Sequence, residues 1–267
     1  MTLNDWMPPL PKPINESQLI ESKLFRSIGI TAFFTGRHGG VSLPPYDTLN
    51  FGRGIGDDED AVSTNMERLV DQTDLNSQPH QARQVHGTGH LICSGQGREH
   101  PDEADILIAT ESNVSVAVRT ADCLPILLAD PVAKVIAAVH AGWRGTAQRT
   151  AVRAIELMQE QGATVDNIYA TLGPAIGPCC FEIGSDTAGQ LAASTANATH
   201  TIEKRDNPYA DLTVINIMQL QEVGILDRHV ESNHLCTRCH PDRFYSYRRD
   251  HGLTGRHLAV VALPDGN

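Results

Sequence analysis

The sequence predicts a single α+β domain rather than a doubly wound sheet. Helix-like and strand-like stretches mix without strict alternation, no internal repeat is visible, and no linker separates two composition regimes. The length of 267 residues admits one large domain or two small ones, and a hydrophobic content of 40% suffices for a buried core.

The elements follow in order. Residues 1–22, with four prolines in the first thirteen positions, read as an irregular lead-in, which leaves 23–267 as the domain. Residues 28–35 form a strand, and 36–52 are too dense in Gly and Pro for regular structure and make a long, shaped loop. Helical spacing runs over 58–71, and 83–85 and 115–119 are extended. The runs Ile-Leu-Leu-Ala (126–129) and Val-Ile-Ala-Ala-Val (135–139) are too short and too branched for helices. With Asp130-Pro131 between them, they read as paired strands. A helix is predicted over 146–161, a strand over 168–172, a turn at 173–180, helices over 184–193 and 214–223, and closing strands over 244–248 and 258–263.

Composition excludes some functions. The net charge is −11 and no Lys or Arg stripe exists, which argues against nucleic acid as ligand. No run of eighteen apolar residues is present and the first residues lack a basic head before an apolar stretch, so a soluble, cytoplasmic protein without membrane contact is expected.

Chemistry concentrates between Thr120 and Gly145. Cys123 and His140 sit at the ends of the two apolar runs, and His140 leads directly into Ala141-Gly142-Trp143-Arg144-Gly145, a strand-to-helix loop of the kind that carries function. His86 likewise ends a short extended run before Gly87. Two His and one Cys suit zinc, and three protein ligands leave the fourth tetrahedral position open, as in catalytic sites where the metal activates water. The spacings of 37 and 17 residues match no local zinc signature.

The six cysteines read as thiols or ligands rather than a disulfide framework. Cys236-Thr237-Arg238-Cys239-His240 matches haem attachment formally, and its CxxC is half of a zinc or redox site. A zinc knuckle needs a second CxxC or a His pair nearby in sequence, which is missing. Adjacent Cys179 and Cys180 do not form an unstrained disulfide with each other. Packing roles are expected for these four.

Seven blocks occur in series: Thr35-Gly36-Arg37-His38-Gly39-Gly40-Val41-Ser42, Gln84-Val85-His86-Gly87, Ala104-Asp105, Thr120-Ala121-Asp122-Cys123-Leu124-Pro125, Val139-His140-Ala141-Gly142-Trp143-Arg144-Gly145, Gly173-Pro174-Ala175-Ile176-Gly177-Pro178, and Phe244-Tyr245-Ser246-Tyr247-Arg248-Arg249-Asp250 with Thr254-Gly255-Arg256. On these the chain resembles the bacterial laccase-domain family, also called multicopper polyphenol oxidoreductases, over residues 28–263. Gly36 departs from the small hydroxyl residue usual in the first block.

The resemblance implies packed mixed β-sheets flanked by helices and one zinc per chain on His86, Cys123 and His140. It further implies a purine nucleoside enzyme that takes nucleoside and phosphate, phosphorolysing adenosine, inosine, guanosine and methylthioadenosine and deaminating adenosine; separately, a monomer is expected. For the anionic co-substrate, Arg37, Arg144, Arg248 and Arg249 are candidates, because guanidinium forks match phosphate geometry. Asp122 is either a proton shuttle or a structural neighbour of Cys123. Gly142 and Gly145 either admit ligand close to the backbone or shape a tight turn, and Trp143 either stacks on a base or packs the loop.

Other readings stand beside this one. Copper and phenol oxidation, the family's older label, call for paired HxH ligands that the chain lacks. A Cys123/His140 hydrolase, a peptidoglycan-precursor editing hydrolase and a non-catalytic binding module complete the set.

Overall fold

The computed structural model describes residues 19–264 apart from 197 and 205. In chain order the elements are β1 (Leu19–Glu21), α1 (Lys23–Ser27), β2 (Thr31–Thr35), α2 (Glu59–Asp71), β3 (Gln81–Arg83), β4 (His90–Cys93), β5 (Glu99–Glu103), β6 (Ile106–Ala109), β7 (Ser115–Thr120), β8 (Leu124–Asp130), β9 (Val135–Ala141), α3 (Trp143–Ala147), α4 (Thr150–Glu160), β10 (Tyr169–Leu172), α5 (Ser185–Ala192), β11 (Ile202–Lys204), β12 (Pro208–Ala210), α6 (Leu212–Glu222), β13 (Val230–Ser232) and β14 (His257–Ala262).

Two sheets carry the fold. One has six strands in the order β13-β10-β8-β9-β6-β4, the other four in the order β1-β2-β14-β7, and β11-β12 and β3-β5 form small pairs. Strand side chains alternate between faces. Ile126, Leu128, Val135, Ala137 and Val139 therefore pack on Ala151, Ile155 and Met158 of α4. Leu127, Ala129, Ile136 and Ala138 pack instead on Phe34, Val116, Val118, Ala259 and Val261 of the second sheet. The outer face of that sheet, with Phe33, Leu258 and Val260, meets Met66 and Leu69 of α2. The layers are helix, sheet, sheet, helix. Burial on both faces explains why β8 and β9 read as unbroken apolar runs.

α2 shows local consistency: Asp58 caps its N-terminus by accepting from the Asp60 amide, Glu59 and Asp60 occupy the first turn, and Arg68 the last, as the helix dipole favours. No helix among the described residues is long and apolar enough to cross a membrane.

Several expectations need correction. Residues 1–18 of the expected lead-in lie outside the described residues, and 19–21 are a strand because Leu19 and Ile20 pair with Thr35 and Phe34. The first predicted strand is shortened at its start, since Lys23–Ser27 forms a helix capped by the Ser22 hydroxyl. The strand expected at 83–85 lies at Gln81–Arg83, because the amides of Val85, His86 and Gly87 all donate to the Asp105 carboxylate instead of a neighbouring strand. The helix over 146–161 is two helices, interrupted at Arg149, which is left-handed at φ 60° and ψ 43°. Residues 244–248 are not a strand: the Tyr245 amide donates to His257 Nε2 and the Arg248 amide to Asp122, so these donors serve side chains rather than a ladder.

Candidate active site

The register of the six-stranded sheet assembles the site at one end. β8 pairs with β9 so that Leu124 faces Ala141 and Pro125 faces His140, and β6 pairs with β9 so that Ile106 faces Val139. Continued one residue outward, these ladders set Cys123 opposite Gly142 and Asp105 opposite His140. The His140 amide donates to the Asp105 carbonyl at 2.8 Å. His86 reaches the same end from the loop after β3, where its backbone is left-handed at φ 62°.

His86, Cys123 and His140 form a group whose ligand atoms all lie within 4.8 Å of one another. Cys123 Sγ is 3.7 Å from His86 Nε2, and the two imidazoles meet edge to face with centroids 4.7 Å apart. Fully buried Asp105 lies behind them. Its Oδ1 accepts from His140 Nδ1 at 2.7 Å and from the His86 amide at 3.0 Å, and its Oδ2 from the amides of Val85 and Gly87 at 3.1 and 2.8 Å. One carboxylate thus fixes the His140 ring through Nδ1, leaving Nε2 for a ligand role, and shapes the loop that carries His86. Asp105 has no place among the predicted site residues, although Ala104-Asp105 is one of the seven sequence blocks.

Cys123 and His140 shift each other's charge. Burial opposes a Cys123 thiolate, but the His140 imidazolium and hydrogen bonds from His140 and His86 prevail and draw the thiol down to about 6. Burial likewise opposes charge on His140, and the Cys123 thiolate and Asp105 carboxylate outweigh it, raising the imidazole to about 9. Each shift favours a thiolate beside an imidazolium. A cation that replaces the shared proton finds a soft thiolate and two imidazoles, a donor set that suits zinc. Gly142 leaves the room: a Cβ there would sit 2.8 Å from His86 Cδ2 and 3.0 Å from Cys123 Sγ.

The trio borders a cavity of about 600 Å³, within the size range of small-molecule sites. In a chain of net charge −11 its wall is cationic, with Arg53, Arg83, Arg119, Arg144, Arg248 and Arg256. Arg53, Arg83 and Arg119 are paired with Glu59, Glu103 and Glu99. Among the described residues Arg144, Arg248 and Arg256 have no carboxylate partner. Arg144 stacks over the Trp143 ring at 4.3 Å, Arg248 donates to the Glu182 carbonyl, and Arg256 to the carbonyls of Thr254 and Gly255.

The other predicted residues are placed as follows. Asp122, buried and left-handed at φ 83°, accepts from Thr237 Oγ1 at 2.5 Å, from Ser246 Oγ at 3.0 Å and from the Arg248 amide at 2.7 Å. Arg37 is turned away from the cavity, bonded to Asp47 and the Pro241 carbonyl beneath the Tyr245 ring. Arg249 is held by Asp250 and the carbonyls of Thr237 and Phe244. Trp143 packs against the main core, and Gly145 lies in α3 against Thr150. Sequence reasoning also passed over Arg256, Tyr247 and Phe181 in the wall. Two of them, Tyr247 and Arg256, lie inside quoted sequence blocks.

The chain is 36% identical over 248 residues to purine nucleoside phosphorylase YfiH of Escherichia coli, covering 92% of this chain and 99% of that one. It is 37% identical over 240 residues to a purine nucleoside phosphorylase of Deinococcus radiodurans, covering 89% and 91%. The crystal structure of YlmD from Geobacillus stearothermophilus superposes with a TM-score of 0.86 at 29% identity, over 97% of this chain and all of that one. The family model described as multi-copper polyphenol oxidoreductase laccase matches residues 31–264, and the chain belongs to that family.

Proposed function

We propose that this chain is a purine nucleoside phosphorylase that also deaminates adenosine, with one zinc ion held by His86, Cys123 and His140. The observation that carries the reading is the juxtaposition of three guanidinium groups without carboxylate partners and the metal-ligating trio on the wall of one cavity. The relatives named purine nucleoside phosphorylase support it.

In phosphorolysis a phosphate oxygen bonds to C1′ of the ribose while the C1′ to base-nitrogen bond breaks, and the electron pair leaves with the purine, which takes up a proton. Arg144, Arg248 and Arg256 are suited to bind the phosphate and bring it to C1′, since guanidinium forks without a carboxylate partner pair bidentately with its oxygens. Tyr247 and Phe181 line the same wall, with the Arg256 and Arg248 guanidinium carbons 5.5 and 5.4 Å from their ring centroids. Zinc would supply a Lewis-acid centre for the group that reacts beside it. Asp105 keeps His140 in its ligand tautomer, Asp122 is a positioning residue for the loops around it, and Gly142 gives the trio its space. Arg37, Arg249, Trp143 and Gly145 support the frame of the site.

The test is adenosine incubated with and without phosphate, with products separated by chromatography and metal measured on the same preparation. Adenine and ribose 1-phosphate on adding phosphate, and inosine without it, are the expected products. Neither product from zinc-loaded protein would overturn the reading. The lowered Cys123 thiol favours one rival, a Cys123/His140 hydrolase. Its mark is a metal-free chain whose Cys123 is alkylated rapidly at neutral pH.

A further inference from the structure

Cys236-Thr237-Arg238-Cys239 lacks a second CxxC in sequence, but the fold supplies its complement. Cys179 and Cys180, nearly sixty residues earlier, meet it so that all four sulfurs lie within 4.8 Å of one another. Cys239 Sγ is 3.5 Å from Cys179 Sγ and 3.4 Å from Cys180 Sγ. A disulfide requires about 2.05 Å. Four thiolates at about 2.3 Å around a tetrahedral ion lie roughly 3.8 Å apart, which is the spacing approached here.

We propose that Cys179, Cys180, Cys236 and Cys239 bind a second metal ion, a tetrahedral soft divalent cation of the zinc class, in a closed structural site. The inference stands on the four sulfurs and is independent of the activity assigned to the cavity. Four protein ligands fill the coordination sphere, whereas the His86, Cys123, His140 trio leaves a position open.

The surroundings are built for such an ion. The Gly177 amide donates to Cys236 Sγ at 3.3 Å, the kind of outer hydrogen bond that steadies a ligating thiolate. A Cβ on Gly177 would come within 3.3 Å of Cys236 Cβ and 3.5 Å of Cys179 Sγ, so glycine lets the turn close on the cluster. The Arg238 guanidinium interacts electrostatically with Cys180, Cys236 and Cys239, which offsets part of the negative charge four thiolates bring. Cys179 and Cys239 are exposed, which gives an ion its entry. A third group, His80, Cys93 and His100, differs: His80 Nδ1 bonds His100 at 2.8 Å and its Nε2 faces the Gly95 carbonyl, so both ring nitrogens are engaged.

The position gives the ion a task. Ala175 and Cys236 form a bridge, with the Thr237 amide donating to the Ala175 carbonyl. Ile176 and Phe181, on either side of the Cys179-Cys180 pair, line the cavity, and Thr237, inside the CxxC, holds Asp122. A metal here pins the cavity wall to the loop that fastens Asp122 without touching a ligand.

The test is elemental analysis of the full chain purified under reducing conditions with zinc supplied, together with zinc K-edge absorption. Two zinc ions per chain are expected, falling to one in Cys236→Ser/Cys239→Ser and to one in His86→Ala/His140→Ala. The decisive spectrum is that of the His variant, which keeps all four cysteines and whose remaining zinc should have only sulfur neighbours near 2.3 Å. That zinc persists even if the His/Cys/His assignment fails. A zinc-free His variant, or unreduced protein whose alkylated mass shows any of the four cysteines in a disulfide, overturns the proposal.

Discussion

Asp105 Oδ1 lies 2.7 Å from His140 Nδ1, and the same carboxylate accepts three backbone amides from residues 85–87. A single buried side chain therefore sets the tautomer of one ligand and the backbone of another. The hydrogen bonds from His140 and these amides hold the Asp105 carboxyl below its usual range although burial acts the other way.

In Asp105→Asn the new amide nitrogen must face donors. Each buried N–H left without an acceptor costs roughly 1–3 kcal/mol, so a loss of about 2–5 kcal/mol in stability is expected. Outer-shell substitutions typically weaken metal binding about 10–100-fold. Chelator competition and urea unfolding on one preparation measure both. Zinc affinity equal to that of the parent would show that Asp105 does not orient the ligands.

Gly142→Ala tests the close approach behind the trio. The added methyl would lie 2.8 Å from a His86 carbon and 3.0 Å from Cys123 Sγ, inside contact distance, while the Gly142 backbone, at φ −67° and ψ 173°, accepts alanine. The fold should survive and the ligand geometry should not. Expected is a loss of zinc of at least about tenfold in affinity, with far-UV circular dichroism unchanged. Full zinc occupancy together with unaltered activity would contradict it.

What the sequence disclosed follows from which residues act locally. The pairing of 126–129 with 135–139 was legible because both runs are apolar throughout and Asp130-Pro131 marks the break, and that pairing alone brings Cys123 and His140 to one end. β4, β6 and β13 escaped because short strands owe their pairing to partners distant in sequence. The segment 244–248 looked like a strand from Phe244, Tyr245 and Tyr247, yet Asp122 and His257 capture its donors. Arg37 stood out by residue type, and only the fold reveals Asp47 beside it. The cysteine cluster was illegible for the same reason: its halves are separated by the 55 residues of sequence between Cys180 and Cys236.

Asp122 distinguishes positioning from proton transfer. Its two oxygens are occupied by Thr237, Ser246 and the Arg248 amide, which ties three separate loops together. Asp122→Asn puts one amide donor against these groups and should lower stability by about 1–3 kcal/mol. The rate of phosphorolysis should fall through a higher KM, with the shape of the pH profile kept. Disappearance of one limb of that profile would instead identify Asp122 as a proton carrier.

His257 gives the fold an acid limit. It is buried and accepts from the Tyr245 amide through Nε2 at 2.9 Å, an interaction open only to the uncharged ring. Burial is the main cause that holds its pKa down to about 3, against a usual value of 6.5, and the nearby Arg37, Arg256 and Arg249 act in the same sense. Between about pH 6.5 and 3 the unfolded chain binds a proton here that the folded chain refuses. Stability is therefore complete above 6.5 and falls as pH drops through that window, by up to about 1.4 kcal/mol per pH unit. Urea unfolding between pH 7 and 4.5 should show this slope in the parent. In His257→Gln, which keeps an acceptor but cannot titrate, the slope should shrink by that amount even if the variant is less stable at pH 7. Parallel curves for the two proteins would show that His257 is not the group responsible.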